Sequence, residues 1–274
     1  MLVAEIHGKI VPQALNDEDF LTSAIFGHLR YVPPSVFWTE LFKCAKSLPD
    51  ENGQERSLTE VIMRNRCEVK ESTSLQAHFW SRHPTLGEPD LLLCFRGEGP
   101  PLIILVEVKL WSGKSGTDDQ LARYLNILDD LSALRPQLSL GLEDARRYLV
   151  YLTPRESLRE VQESVDSIRV GKDEARSRVF RLQWQDVAEV ARATTSTTVP
   201  PYRTILDDVA RFLHIRGLEH FKGFVEVPHL NAVDKDCGRF YTPIGTALPT
   251  SHFEGWTQVP GLETLQVRRG EWTT

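Results

Sequence analysis

The chain has 274 residues, of which 41% are hydrophobic and 26% are charged, with a formal net charge of −6. This length supports one sizeable core with a small appendage. The acidic balance argues against a protein that coats nucleic acid by bulk charge, although a local positive groove is compatible with it.

Targeting and redox signals are weak. Apolar runs stay below the roughly 18 residues of a membrane span. The N-terminal segment also carries Glu5 and Lys9, where a secretory signal needs an unbroken apolar stretch. We therefore expect a cytoplasmic protein without a membrane partner. The widely spaced cysteines predict neither a zinc site nor a disulfide framework: they are Cys44, Cys67, Cys94 and Cys237.

The first predicted helix begins after Asn16 or Asp17, either of which can act as its N-cap. It ends near Tyr31, because Pro33 and Pro34 follow. Its apolar face is predicted from residues at helical spacing: Phe20, Leu21, Ala24, Ile25 and Leu29.

Three further elements are predicted before the central motif. Residues 34–48 repeat the helical pattern, and residues 55–67 form a helix or a strand that contains Glu60. Residues 75–82 are predicted to be a strand of the sheet.

Two short apolar runs, 91–95 and 102–106, are separated by glycines and prolines and predict a buried β-hairpin. If the turn centres near Glu98 and Gly99, antiparallel pairing places Asp90 opposite Glu107 or Val108.

Charged residues stand at the ends of these runs: Asp90 precedes the first, and Glu107 and Lys109 close the second. Two carboxylates and an ammonium are costly to bury without a partner. Carboxylate oxygens of Asp90 and Glu107, with the carbonyl of Val108, suit Mg²⁺, for which we expect Mn²⁺ to substitute. Lys109 beside such an ion could orient or help deprotonate an attacking water.

After the hairpin, the segment 111–116 fails as a phosphate-binding P-loop because Val108 stands where the leading glycine is needed. A helix capped at Thr117 or Asp118 is predicted next, with Gln120 in its first turn. Its core stripe is Leu121, Tyr124, Leu125, Leu128 and Leu131.

Strands at 147–153 and 179–184 alternate with helices at 157–168 and from Trp184 or Gln185 to Arg192. The pattern predicts an α/β fold, a mixed sheet flanked by helices.

The predicted domain organisation has three parts. Residues 1–192 form the α/β domain, with a helical N-terminal part at 1–72. Residues 193–224 contain a linker at 193–201 and a packing helix at 202–214 capped by Gly217. Residues 225–274 show no clear periodicity and form an irregular C-terminal extension of unknown role.

The residues Pro89-Asp90 followed by Glu107-Val108-Lys109 resemble the PD-(D/E)XK nuclease superfamily, which has the restriction-endonuclease-like fold. The resemblance covers about residues 18–153. It implies a Mg²⁺-dependent endonuclease acting on DNA, of the kind found in bacterial restriction or phage-defence systems, as a homodimer or with a partner protein.

Two further segments carry the resemblance. Residues 18–22 (EDFLT) are similar to a first-helix signature whose glutamate reaches the metal site, which implies Glu18 as the third acidic residue; Glu60 is the alternative. Residues 119–124 (DQLARY) are similar to a setting in which Gln120 points back to the site, where an amide can hold a water or a phosphate oxygen. The alternative is a solvated polar residue at position 120.

Two other functions stay open. The chain could keep this fold as a non-catalytic nucleic-acid-binding or scaffolding subunit of a multi-protein complex, with the carboxylates used structurally. It could also be an interaction module in which the short motif is accidental.

Overall fold

A computed structural model of the chain describes residues 17–65, 69, 74–110, 119–134 and 144–220. The chain divides into two units, Met1–Phe221 and Lys222–Thr274, and the described residues lie in the first. The predicted extension 225–274, the 111–116 loop and the predicted helix caps Thr117 and Asp118 lie outside the described residues.

In the part of the chain that the structure describes, six strands form one mixed sheet in the order β1-β6-β5-β4-β3-β2. The strands are β1 (Lys46–Ser47), β2 (Ser74–Phe79), β3 (Leu91–Arg96), β4 (Leu102–Val108), β5 (Arg146–Thr153) and β6 (Val179–Gln183). Strands β2, β3 and β4 are antiparallel neighbours, β4, β5 and β6 are parallel, and β1 is antiparallel to β6.

Helices cover both faces of this sheet. One face packs against α1 (Glu18–Leu29), α2 (Trp38–Cys44), α3 (Leu58–Arg64), α7 (Trp184–Thr195) and α8 (Tyr202–Ile215). The other face packs against α4 (Gln120–Asp129), α5 (Leu158–Ser167) and α6 (Lys172–Arg178). The predicted mixed sheet flanked by helices is confirmed. Within the described residues, none of the helices has the length and apolar content needed to cross a membrane.

Strand β4 is an inner strand of the sheet and is buried at all seven of its positions. It runs between β3 and β5 under helices on both faces, which is why its sequence is a continuous apolar run rather than an alternating one. Each fully buried Leu, Ile or Val there contributes about 1.5–3 kcal/mol. Glu107 is the charged exception within this strand.

Helix α1 begins after Asp17, one of the two predicted N-caps. The Asp17 side chain accepts a hydrogen bond of 3.0 Å from the Phe20 amide, and Glu18 and Asp19 occupy the first turn. An N-cap of this kind stabilises a helix by about 1 kcal/mol. The cap therefore fixes where α1 starts, and with it the position of Glu18.

Two predicted elements differ in the structure. The helix predicted at 34–48 is wrong at both ends: α2 is shorter, and Lys46–Ser47 pairs with β6 as an edge strand, because Ala45 takes an extended conformation. Helix α6 was not predicted, since it is a charged stretch in which Ala175 is the buried residue, and it therefore lacks apolar periodicity.

The predicted packing helix is confirmed as α8. Its buried residues belong to the same hydrophobic core as one face of the sheet. Helix α7 extends through Thr195, so the first residues of the predicted linker are helical. Gly217 has the positive φ, 67°, that favours glycine after a helix.

Candidate active site

The hairpin register brings the two predicted carboxylates together. Leu91 pairs with Val106, so the next step along the ladder places Asp90 beside Glu107. The amide of Val108 donates a hydrogen bond of 2.7 Å to Asp90 Oδ2. The predicted pairing of Asp90 with Glu107 or Val108 is confirmed.

Lys109 joins these strands to the first helix. Its Nζ lies 2.8 Å from Glu107 Oε1 and 3.4 Å from Glu18 Oε2. The backbone at Leu110 also donates a hydrogen bond of 3.3 Å to Glu18 Oε1. Four predicted site residues from three elements therefore meet where β4 ends and α1 begins: Glu18, Asp90, Glu107 and Lys109.

Burial changes the acidity of this cluster. Glu107 is 1% exposed, and its Oε2 accepts no hydrogen bond from the described residues. Burial, reinforced by the negative charge of Asp90, raises the pKa of Glu107 to about 8. Burial also raises the pKa of Asp90, against the hydrogen bond from Val108. The two neighbouring carboxyl groups therefore hold a proton more tightly than free carboxylates do.

The pKa of Lys109 is also raised, but here the shift favours the charged form. Burial alone would lower its pKa, but the charges of Glu107 and Glu18 outweigh that effect, so the pKa is raised. Lys109 is consequently an ammonium ion near neutral pH. It can donate hydrogen bonds and stabilise negative charge, but it is a poor proton acceptor.

Gln120 reaches the site through Tyr124. Its Nε2 donates to the Tyr124 hydroxyl at 3.0 Å, and that hydroxyl donates to the carbonyl of Glu88 at 2.9 Å. Burial and the charge of Glu107 raise the pKa of Tyr124 to about 12, so the phenol keeps its proton. The helix carrying Gln120 is capped by Asp119, one or two residues later than predicted.

The loop before Asp90 packs against Tyr124. Gly87 has φ 116°, and a Cβ at this position would lie 3.4 Å from Tyr124 Cε1. A glycine is favoured here both by the positive φ and by the close approach of the ring. The hydrogen bond from the Tyr124 hydroxyl to the Glu88 carbonyl ties this loop, which leads to Asp90, to α4.

A polar row crosses the sheet at the level of Glu107. Glu107 pairs with Tyr151, and Tyr151 pairs with Arg181, so these residues point to the same face of the sheet. The Tyr151 hydroxyl donates a 2.9 Å hydrogen bond to Glu160 Oε2. Burial, this hydrogen bond and the nearby carboxylates raise the pKa of Tyr151. Sequence reasoning treated Tyr151 only as part of a strand; the sign that could have marked it is a hydroxyl at the end of an otherwise apolar run.

Glu60, the alternative to Glu18, has a local role. Its carboxylate accepts a 2.8 Å hydrogen bond from the Ser57 amide, and the Ser57 hydroxyl accepts one of 3.2 Å from the Glu60 amide. This reciprocal pair is a capping box at the start of α3. The spacing of Ser57 and Glu60 is the sequence signature of such a box, so it was readable from the sequence.

The donor set fits a hard divalent cation only in part. Among the described residues, no group of three or more His, Cys, Asp or Glu side chains is gathered so that it could hold a metal. The acid pair is Asp90 and Glu107, whose side chains are hydrogen-bonded to each other, whereas Glu18 faces Lys109. Mg²⁺ takes few protein carboxylates and keeps several waters, so this pair is compatible with it. The Val108 carbonyl and the Glu18 carboxylate stay predicted ligands.

A cavity of about 550 Å³ opens near the other end of β5. Arg146 and Arg178 line it, and Arg178 is paired with Asp129, which also lines the cavity. Arg146 and Arg178 therefore lie away from Glu107 and Asp90, near the opposite end of β5.

No family model, no curated protein and no solved structure matches this chain. What can be proposed about its function therefore depends on the site itself and on the resemblance of its motif.

Proposed function

We propose that the chain is a metal-dependent endonuclease that hydrolyses DNA phosphodiester bonds, with a restriction-endonuclease-like fold. The observation that carries the proposal is the meeting of Asp90, Glu107 and Lys109 at the end of a buried hairpin. Glu18 joins them from α1, and Gln120 approaches through Tyr124.

Charge balance supports a cation at this position. Three carboxylates face one ammonium, so with every group ionised two negative charges remain uncompensated. Glu107 is almost inaccessible to water, and a buried surplus of like charge has to be neutralised by protons or by a cation. The raised pKa of Glu107 is consistent with neutralisation by a proton in the absence of a cation.

We assign the following roles. Asp90 and Glu107 hold Mg²⁺ or Mn²⁺, with the Val108 carbonyl and Glu18 as additional predicted ligands; the bound ion supplies Lewis-acid activation of the scissile phosphate. Lys109, held as an ammonium, orients the attacking water and stabilises developing negative charge.

In this proposal, the uncharged amide of Gln120 positions a water or a phosphate oxygen. Its side chain is held by the Tyr124 hydroxyl, and a neutral amide can direct a water or a phosphate oxygen without adding charge. By resemblance alone, we extend the proposal to a cytoplasmic enzyme of a restriction or phage-defence system, acting as a homodimer or with a partner protein.

A non-catalytic nucleic-acid-binding or scaffolding subunit is the second candidate. The observation that favours it is the position of Lys109 Nζ between Glu107 and Glu18, which neutralises part of the cluster internally. In that case the carboxylates hold α1 against β4 and bind no cation.

Cleavage of supercoiled plasmid DNA by the purified protein tests the proposal. We expect nicking with Mg²⁺ or Mn²⁺, none with EDTA, and a loss of about 10²-fold or more in Asp90→Asn, Glu107→Gln and Lys109→Met. Glu18→Gln should lose activity, whereas Glu60→Gln is the matched acidic control and should cut like wild type. Equal cutting by wild type and all three central variants would overturn the assignment.

Thermal unfolding separates the two candidates when no cutting is seen. A divalent cation at 100 times its Kd stabilises the folded state by about 2.7 kcal/mol. For an enzyme, Mn²⁺ should raise the Tm of wild type but not of Asp90→Asn. A scaffolding role predicts the same Tm with Mn²⁺ and with EDTA in both proteins.

A further inference from the structure

Trp80 has an unusual backbone conformation at the rim of the candidate site. Its φ is 50°, and within the described residues no other non-glycine residue has a positive φ. A side chain in this region carries a conformational cost that glycine avoids, and such strain persists where surrounding contacts enforce it. The residue is also 37% exposed, which is high for a tryptophan next to a buried sheet.

The contacts that enforce this conformation link Trp80 to both sides of the site. Its amide donates a 3.2 Å hydrogen bond to the carbonyl of Asp90. Its indole Nε1 donates a 3.1 Å hydrogen bond to Asp19 Oδ1, and Asp19 follows Glu18 in α1. The ring also contacts Phe79 at a centroid distance of 5.5 Å. An exposed aromatic ring is therefore fixed in orientation beside the two strands and the helix that form the site.

The acidic residues near this ring favour contact with an uncharged part of a ligand, such as a nucleic-acid base, over contact with a phosphate. Asp19, Glu18 and Asp90 are acidic, and the chain as a whole has a formal charge of −6, so phosphate binding by bulk charge is weak here. An aromatic side chain binds nucleic acid in another way, because every base has a π face on which it can stack. Stacking needs a base that is not already enclosed in a duplex.

We propose that Trp80 stacks on an unpaired base next to the scissile phosphate, so that the substrate is DNA with an unstacked base: a single strand, a frayed end or a flap. This inference rests on the proposed nuclease function. Trp80 is a positioning residue in it, since it holds the nucleotide whose phosphate faces Asp90 and Lys109.

The test compares cleavage of a single-stranded oligonucleotide, a blunt duplex and a flap duplex of the same sequence in Mg²⁺. Wild type should cleave the single strand and the flap faster than the blunt duplex. Trp80→Gly should raise KM for the single strand about tenfold or more, with a smaller change in kcat, whereas Trp80→Phe should recover most of the loss.

Trp80→Gly is the informative variant because it should still fold. Glycine relieves the strain at φ 50° and offsets the packing that the indole loses, so we expect a Tm close to that of wild type. Tyr31→Ala is the matched control: Tyr31 is 61% exposed and follows the far end of α1, about 20 Å from Glu18 by the helical rise. It should leave KM unchanged.

A second readout identifies the stacked nucleotide. Abasic sites placed one at a time along the oligonucleotide should reduce wild-type cleavage at one position, and there Trp80→Gly should cause no further loss. If wild type cleaves DNA but Trp80→Gly and Tyr31→Ala have the same KM for the single strand, the inference is overturned. The nuclease proposal then stays intact. A wild type that neither binds nor cleaves any of the three DNAs would overturn both.

Discussion

Two buried charged groups in one row across the sheet are balanced in different ways. Glu107 lies beside a second carboxyl group, and Lys109 is its cationic partner. Arg181, two strands away, contacts the carboxylates of Glu55 and Glu156. Both clusters contain more acids than bases, so the count alone does not distinguish them.

The difference is where the surplus charge lies. The side chains of Glu55 and Glu156 are 34% and 65% exposed, so water solvates the surplus next to Arg181. The Glu107 side chain is 1% exposed, and the carboxyl group beside it belongs to Asp90. A buried cation with solvated partners ties β6 to its surroundings, whereas a buried surplus of negative charge favours the binding of a cation.

Removing the buried charge at each place should have opposite effects on stability. Arg181→Met removes the hydrogen bonds to Glu55, Glu156 and the Ser47 carbonyl and should lower the free energy of unfolding by about 1–3 kcal/mol. Glu107→Gln imitates the protonated carboxyl group and should leave stability in EDTA unchanged or higher. Urea unfolding at pH 7 measures both, and similar destabilisation by the two variants would remove the distinction between the clusters.

The pH dependence of stability should come from the Glu107 cluster. The folded-state pKa of Glu107, about 8, lies above its ordinary value of 4.5, so its contribution is fully present below about pH 4.5 and is lost as pH rises through 8. Asp90 shifts in the same direction, whereas the raised pKa of Lys109 keeps it charged across this range.

We therefore expect the Tm in EDTA to fall between about pH 5 and pH 8 more steeply in wild type than in Glu107→Gln. Glu156→Gln is the control from the Arg181 cluster and should keep the wild-type slope. Parallel curves for wild type and Glu107→Gln would show that Glu107 titrates normally.

The loop before Asp90 offers a third comparison. Gly87→Ala adds a Cβ 3.4 Å from Tyr124 at a φ of 116° and should lower stability by about 1–2 kcal/mol and reduce DNA cleavage. Gly53 also has a positive φ, 73°, but an added Cβ would meet nothing within 4 Å. Gly53→Ala should therefore cost stability without affecting cleavage; equal losses of activity would show that the Tyr124 contact is unimportant.

The smallest effect is expected at Gln120. Gln120→Ala removes the hydrogen bond to Tyr124 and should lower stability by about 1 kcal/mol. Gln162 on α5 is the control away from the site: its side chain hydrogen-bonds Asp166 and Arg176, and Gln162→Ala should leave cleavage unchanged. If Gln120 positions a water or a phosphate oxygen, its variant also cuts DNA more slowly than Gln162→Ala does; equal rates would favour the solvated role.

The sequence was most informative where local rules and tertiary packing agree. The hairpin register followed from its central turn, and with it the meeting of Asp90 and Glu107. The sequence predicted a cap at Asn16 or Asp17, and the structure has it at Asp17. Helix α6 and the edge strand β1 were missed, because the first has little apolar periodicity and the second is only two residues long.

Contacts between distant elements could not be derived from pattern alone. That Lys109 meets Glu18 depends on how α1 packs against the end of β4, across 91 positions in the sequence. Neither the positive φ of Trp80 nor its hydrogen bond to Asp19 has a sequence signature. The capping role of Glu60, in contrast, is indicated by its spacing of three residues from Ser57.

Binding of Mn²⁺ to the purified protein, followed by electron paramagnetic resonance, tests the central claim most directly. We expect one or two ions per chain in wild type and in Glu156→Gln, and a clear loss of binding in Asp90→Asn and Glu107→Gln. Proton release on Mn²⁺ addition at pH 7 should accompany binding, because the ion displaces the proton that Glu107 holds. Equal Mn²⁺ binding by wild type and Glu107→Gln, or none by wild type, would contradict a cation site at this hairpin.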